Sequence, residues 1–149
     1  MKILPIPLTV ISLFIFEKWW FILPEDAPDT MCYGFPFMYN CDGWHTSMSI
    51  QIFVLEFLLD FVIVLSFWFA IVFFVNRMKK TRINPKWIYR IFWVLAVLIV
   101  VFNCLIMTVC DTQFIITRDF KMQVINKGYR FTWQHMERPI YNGDWQKGE

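Results

Sequence analysis

From Ile91 to Cys110 the chain runs for twenty residues without a charged side chain, bounded by Arg90 and Asp111. At about 1.5 Å of rise per residue, such a run reaches about 30 Å as a helix, the thickness of a bilayer's hydrocarbon core. The composition gives this length its meaning. Of the 149 residues, 58% are hydrophobic and 17% charged, against about 45–50% and about 25% in soluble domains. A globule of this size buries only about 70% of its unfolded surface, so the apolar excess must meet lipid. Intrinsic disorder, collagen-like structure and a water-soluble catalytic domain are excluded.

Two further apolar stretches accompany the first. One runs from Ile50 to Val75 and contains Glu56 and Asp60. The other runs from Ile3 to Phe16, breaks at Glu17 and Lys18, and resumes as Trp19-Trp20-Phe21-Ile22-Leu23 before Pro24. The expected fold is an all-α membrane protein of three transmembrane helices with a small extracytoplasmic β-hairpin tail. Its parts are helix 1 over 1–23, an extracytoplasmic loop 24–47, helix 2 over 48–76, a basic cytoplasmic loop 77–90, helix 3 over 91–110 and a tail 111–149.

Lysine and arginine placement sets the orientation. Arg77, Lys79, Lys80, Arg82, Lys86 and Arg90 lie between the second and third stretches with no acid among them, which marks that loop as cytoplasmic. Lys2 then starts inside, and the tail ends outside. The expected location is the plasma membrane, the inner membrane if the source is bacterial. The start resembles a signal peptide in its charge and apolar run. Glu17-Lys18-Trp19-Trp20 replaces the small-residue cleavage site, however, and favours an uncleaved anchor.

Outside the cytoplasm, Cys32 and Cys41 are expected to form a disulfide. Closing that loop is worth about 2.5–3 kcal/mol in the chain-entropy model. Cys104 and Cys110, six apart on one helix, cannot bridge each other. In the tail, residues 121–125 and 129–135 mostly alternate around Asn126-Lys127-Gly128, which predicts a hairpin, with Phe114 to Thr117 available as a third strand. Tyr129, Phe131 and Trp133 would share one face. That face needs a cover, from the first loop, the membrane surface or another protein.

Polar residues recur within the apolar stretches. Helical rise places Glu17 and Lys18 about 22–24 Å above Lys2, and Asp60 and Glu56 about 25–31 Å above Arg77. It places Asn103 about 20 Å above Arg90. These five residues are expected to form an intramembrane polar cluster. Lys18, Asp60 and Glu17 would stand at its centre and Glu56 at its mouth, able to bind a proton, a cation or a basic partner group. A structural role, with Asp60 satisfied by Lys18 or Asn103, competes with that reading.

Catalytic signals are sparse. His45 and His135 would need to meet Asp42, Glu137 or a free cysteine to hold a metal, and no ligand spacing supports it. Nucleotide-binding and nucleophile-elbow motifs are missing, so no catalytic residue, cofactor or metal is expected. The basic loop reads as a topology signal rather than a nucleic-acid site. The leading functional expectation is a non-enzymatic accessory subunit or binding partner of another membrane protein. Its expected partners are the lipid bilayer and another membrane protein or a second copy of itself. An oligomeric proton or cation conductor built on Glu56 and Asp60 is the alternative. A thiol–disulfide redox protein is a more remote one, since no cysteines show Cys-x-x-Cys spacing.

Overall fold

The computed structural model describes residues 4–25, 28–43, 48–78, 86–118, 121–135, 137 and 139. Lys2, Trp44 and His45, the basic residues Lys79, Lys80 and Arg82, and nearly all of the tail beyond His135 lie outside the described residues. Along the chain come α1 (Pro5–Ile15), β1 (Phe16–Pro24), β2 (Thr30–Gly34), β3 (Asn40–Asp42) and β4 (Ser49–Phe53). After them come α2 (Val54–Met78), α3 (Lys86–Val109), β5 (Asp111–Ile115) and β6 (Met122–Phe131). The fold is mixed α/β around a six-stranded sheet of order β5-β4-β3-β2-β1-β6. The expected all-α fold with three spanning helices is thereby corrected.

Two helices, Val54–Arg77 and Tyr89–Val109, are long and apolar enough to cross a membrane. Only 6% of each apolar window is buried inside the protein. A core helix of a soluble protein would be mostly covered, whereas these two expose Phe67, Phe73, Phe102 and Leu105 among others. Neither run contains proline or glycine, and the charges of α2 are confined to Glu56 and Asp60 near its start and Arg77 at its end.

The first apolar stretch behaves differently. Pro5 is tolerated in the opening turn of α1, where the missing amide would lack a partner anyway. The helix ends after eleven residues, where Phe16 turns to extended backbone. Phe16–Pro24 then forms a strand between β2 and β6. Apolar content drew this segment into an expected helix, but its aromatic side chains suit a strand equally well.

α1 packs against both α2 and α3. Parallel pairing of β4 with β5 sets Ser49 opposite Asp111 and Phe53 opposite Ile115. α2 leaves the far end of β4 while α3 enters the near end of the parallel β5, so the two helices join this strand pair at opposite ends. α1 lies beside both. Trp68 Nε1 donates to Ser12 Oγ at 2.9 Å and Tyr39 Oη donates to Leu13 O at 3.5 Å, so α1 is held against α2 along its length and meets the loop before β3 at its end.

β1 to β4 form an antiparallel meander. Residues 111–115 supply a strand near the expected third one, but it pairs with β4. The expected tail hairpin is replaced by one continuous strand, β6, which pairs antiparallel with β1. Its register shifts between Phe21 and Ile22, whose partners are Asn126 and Val124. The extra residue, Ile125, forms the bulge. Gly128 makes no turn: it lies opposite Trp19, and a Cβ there would come within 2.7 Å of the indole.

Cys32 and Cys41 face each other on β2 and β3 and form a disulfide, with Cα atoms 4.0 Å apart. Trp20, Ile22, Met38 and Phe53 surround it, and Ile115 and Met122 from the two edge strands pack on the same cluster. The disulfide thus sits within an apolar cluster that runs across the sheet from β4 to β1.

Candidate functional site

Cross-strand register divides the sheet into two faces. Lys127, Trp20, Cys32, Cys41, Gln51 and Gln113 form one transverse row, and Gly128, Trp19, Tyr33, Asn40, Ile52 and Phe114 form the other. The second face turns toward the helices and closes a cavity of about 250 Å³. Phe14 at the end of α1 floors it, Val54 and Phe57 come from α2, and Met107 comes from α3. Ile52 and Phe114 contribute from the sheet. Glu17, Tyr39, Asn40 and Asn103 add polar groups to these apolar walls.

Glu17 is neutralised where it stands. Arg130 Nη2 lies 3.0 Å from Glu17 Oε2, and Arg130 Nε donates to the same oxygen at 3.2 Å. The two residues are direct cross-strand neighbours. The guanidinium also covers the Tyr33 ring at 4.5 Å. Burial, and next the Asp42 carboxylate, raise the Tyr33 phenol above its ordinary value, while Arg130 opposes them. Tyr39 is held protonated more strongly, by burial first and then by the charges of Glu17 and Asp60. Its ring packs edge-on against Phe57 at 5.2 Å.

Lys18 is separated from Glu17 by the pleat, because successive strand residues point to opposite faces. Its ammonium lies 4.7 Å from the Trp20 ring centroid and 5.8 Å from that of Tyr129. Asp60 is fully buried. It accepts the Phe35 amide at 3.0 Å and the Phe37 amide at 2.9 Å, tying the loop after β2 to α2. That loop contains a cis Phe35–Pro36 bond and starts at Gly34, where a Cβ would collide with Phe37 O and Tyr39. Asn103 Nδ2 donates to Ile99 O, one turn back on α3. Glu56 Oε2 is buried and has no hydrogen-bond partner among the described residues.

The structure thus brings Glu17 and Asn103 to one cavity, and gives Lys18 and Asp60 separate surroundings. Tyr39, Asn40 and Arg130 complete the site without any motif to announce them. β1 carries no period-two signal of its own, because Glu17-Lys18 and Trp19 to Ile22 are consecutive charged and apolar blocks. Among the described residues, no three His, Cys, Asp or Glu side chains converge as a metal site would require. Chemically, the cavity offers apolar walls, amide and phenol hydrogen bonding, and a carboxylate whose charge is already met.

A second surface lies at the start of β1. Phe16 touches Phe35, Tyr129 and Phe131 at centroid distances of 5.1, 5.8 and 5.7 Å. Phe131 stacks on Trp133 at 4.9 Å with the rings 7° apart. Tyr129 and Trp133 remain 61% and 70% exposed. Thr132 fixes this ridge in place: its hydroxyl donates to Phe14 O at 2.6 Å and Ile15 O at 3.1 Å, and its amide to Ile15 O at 3.0 Å. Carbonyls left open at the end of α1 are satisfied by β6.

Compared with known protein families, curated proteins and solved structures, the chain matches none.

Proposed function

We propose that the chain is a plasma-membrane protein, held by α2 and α3, that serves as a non-enzymatic accessory subunit of another membrane protein. The sheet stands on the extracytoplasmic side and the N-terminus on the cytoplasmic side. Arg77 and Arg90, at the helix ends away from the sheet, support this orientation through the positive-inside rule. The Cys32–Cys41 disulfide suits an oxidising compartment.

The carrying observation is the exposed ridge of Tyr129, Phe131 and Trp133 at the end of the edge strand β6. Phe16, which packs on it, also touches Phe35, whose amide is held by Asp60 about 9 Å along α2. At that depth the ridge borders the membrane rather than open water, so the partner it suits is itself a membrane protein. Clustered aromatic side chains are also the residues that dominate binding energy at protein interfaces.

Purification in a mild detergent, with a photoreactive side chain at position 133, tests this reading. A membrane protein of fixed stoichiometry, crosslinked at 133 and lost when Tyr129→Ala/Phe131→Ala is added, is the expected outcome. A monomer with no crosslink, or one that links only to a second copy of itself, overturns the accessory role.

A further inference from the structure

We propose that the cavity between α2, α3 and the sheet holds the hydrocarbon chain of a neutral amphiphile drawn from the leaflet on the sheet side. Its polar end would lie against Tyr39, Asn40 and Asn103. This site rests on the membrane placement proposed above.

Helix packing supplies the first ground. α1 packs against both α2 and α3 and ends at Ile15. Beyond it lies the cavity, only partly enclosed and lined by Phe14 from α1, Val54 and Phe57 from α2, and Asn103 and Met107 from α3. The same two helices expose apolar side chains such as Leu58 and Leu105. A gap that opens onto hydrocarbon is filled by hydrocarbon, because unfilled volume forfeits contacts on every side. Its volume of about 250 Å³ exceeds the roughly 150 Å³ that admits benzene in an apolar interior.

Lining chemistry supplies the second ground and defines the ligand class. Phe57, Met107 and Phe114 provide walls for an alkyl chain. The one acid on the lining is paired with Arg130 at 3.0 Å, so neither a cationic nor an anionic head finds an unmet counter-charge there. Asn103 spends an amide hydrogen on Ile99 O, which leaves its carbonyl oxygen to accept. The Asn40 amide can both donate and accept. A hydroxyl or carbonyl head fits this set: a long-chain alcohol, a monoacylglycerol or a comparable uncharged lipid.

The full chain in phosphatidylethanolamine–phosphatidylglycerol vesicles, labelled by light with diazirine-bearing hexadecanol, tests the site. Peptide mass spectrometry should find label several-fold enriched on Phe57 and Met107 over the exposed Phe102 and Leu58. Ile52→Trp, which fills the cavity, should remove the enrichment, and Leu98→Trp on the exposed face of α3 should keep it. Formation of the Cys32–Cys41 disulfide reports folding. Should Ile52→Trp fail to form it, Met107→Trp fills the same space from a helix, with Phe57 as the readout. Label on Phe102 and Leu58 without enrichment in the cavity overturns the site and leaves the membrane placement standing. Label on neither set overturns both.

Discussion

Asp60 Oδ1 accepts the backbone amide of Phe37 at 2.9 Å, across 23 residues of sequence. With the Phe35 amide on Oδ2 at 3.0 Å, this one carboxylate fastens the loop between β2 and β3 to the second turn of α2. Asp60→Ala leaves two amides without their acceptor, and a loss of about 2–4 kcal/mol is expected. Asp60→Asn keeps one acceptor but turns an N–H group toward the other donor, so a loss of about 1–3 kcal/mol follows. Thermal unfolding in detergent micelles measures both. Wild-type stability in Asp60→Asn would contradict the anchoring role.

Trp19 lies across Gly128 on the neighbouring strand, and the space for a methyl group is occupied by its indole. Gly128→Ala should cost about 1–3 kcal/mol through overpacking. In a Trp19→Ala background the same change should be neutral or stabilising, since alanine restricts the unfolded chain more than glycine. A double-mutant cycle by unfolding reads the coupling. Additive effects would show that the two residues do not meet.

Two phenols, Tyr33 and Tyr39, carry a pH signature. Tyr33 and Tyr39 are both raised from 10.0, chiefly by burial. A group raised in the folded state contributes fully below its unfolded value, and the contribution is lost as pH rises above it. Stability should therefore fall from about pH 10 upward as the unfolded chain gains from tyrosine ionisation. Tyr39→Phe should make that decline shallower. Unfolding of both proteins across the alkaline range decides it, and equal slopes would contradict the burial of a protonated phenol.

Thr132 holds the end of α1 through its hydroxyl contacts to Phe14 and Ile15 carbonyls. Thr132→Val keeps the shape and the amide but removes the hydroxyl, with an expected loss of about 1–2 kcal/mol. Thr132→Ser should retain most of the stability. An equal loss in both variants would place the effect in packing rather than in hydrogen bonding.

The two long helices are legible because an apolar run of membrane length, charge-free in α3 from Ile91 and with two acids near one end in α2, has few other uses. Helix 2, expected over 48–76, nevertheless absorbed Ser49-Ile50-Gln51-Ile52-Phe53, whose alternation belongs to β4. Phe16–Pro24 was misread for a related reason: hydrophobic content says a segment is buried without saying whether its period is two or 3.6. Alternation in the tail correctly revealed strand character. Its partner, β1, lies more than a hundred residues away, and local turn residues pointed to a hairpin instead. Gly128 is explained by Trp19, a neighbour in space rather than in sequence. The same distance hid the site. Helical depth brought Glu17 and Asn103 to a common level, and they do share a cavity, but it took strand register to part Lys18 from Glu17 and to supply Arg130.

The pairing of β1 with β6 carries both the cavity and the aromatic ridge, and a designed disulfide tests it most directly. Glu17 and Arg130 are direct partners, and opposed residues in an antiparallel pair have Cα atoms about 4.5–5.5 Å apart, within disulfide range. With Cys104 and Cys110 replaced by serine, Glu17→Cys/Arg130→Cys should crosslink efficiently under mild oxidation. Glu17→Cys/Tyr129→Cys, one residue out of register and on opposite faces, should not. Absence of the first crosslink, or equal yield from both pairs, would contradict the pairing of β1 with β6 and the strand at residues 16–24.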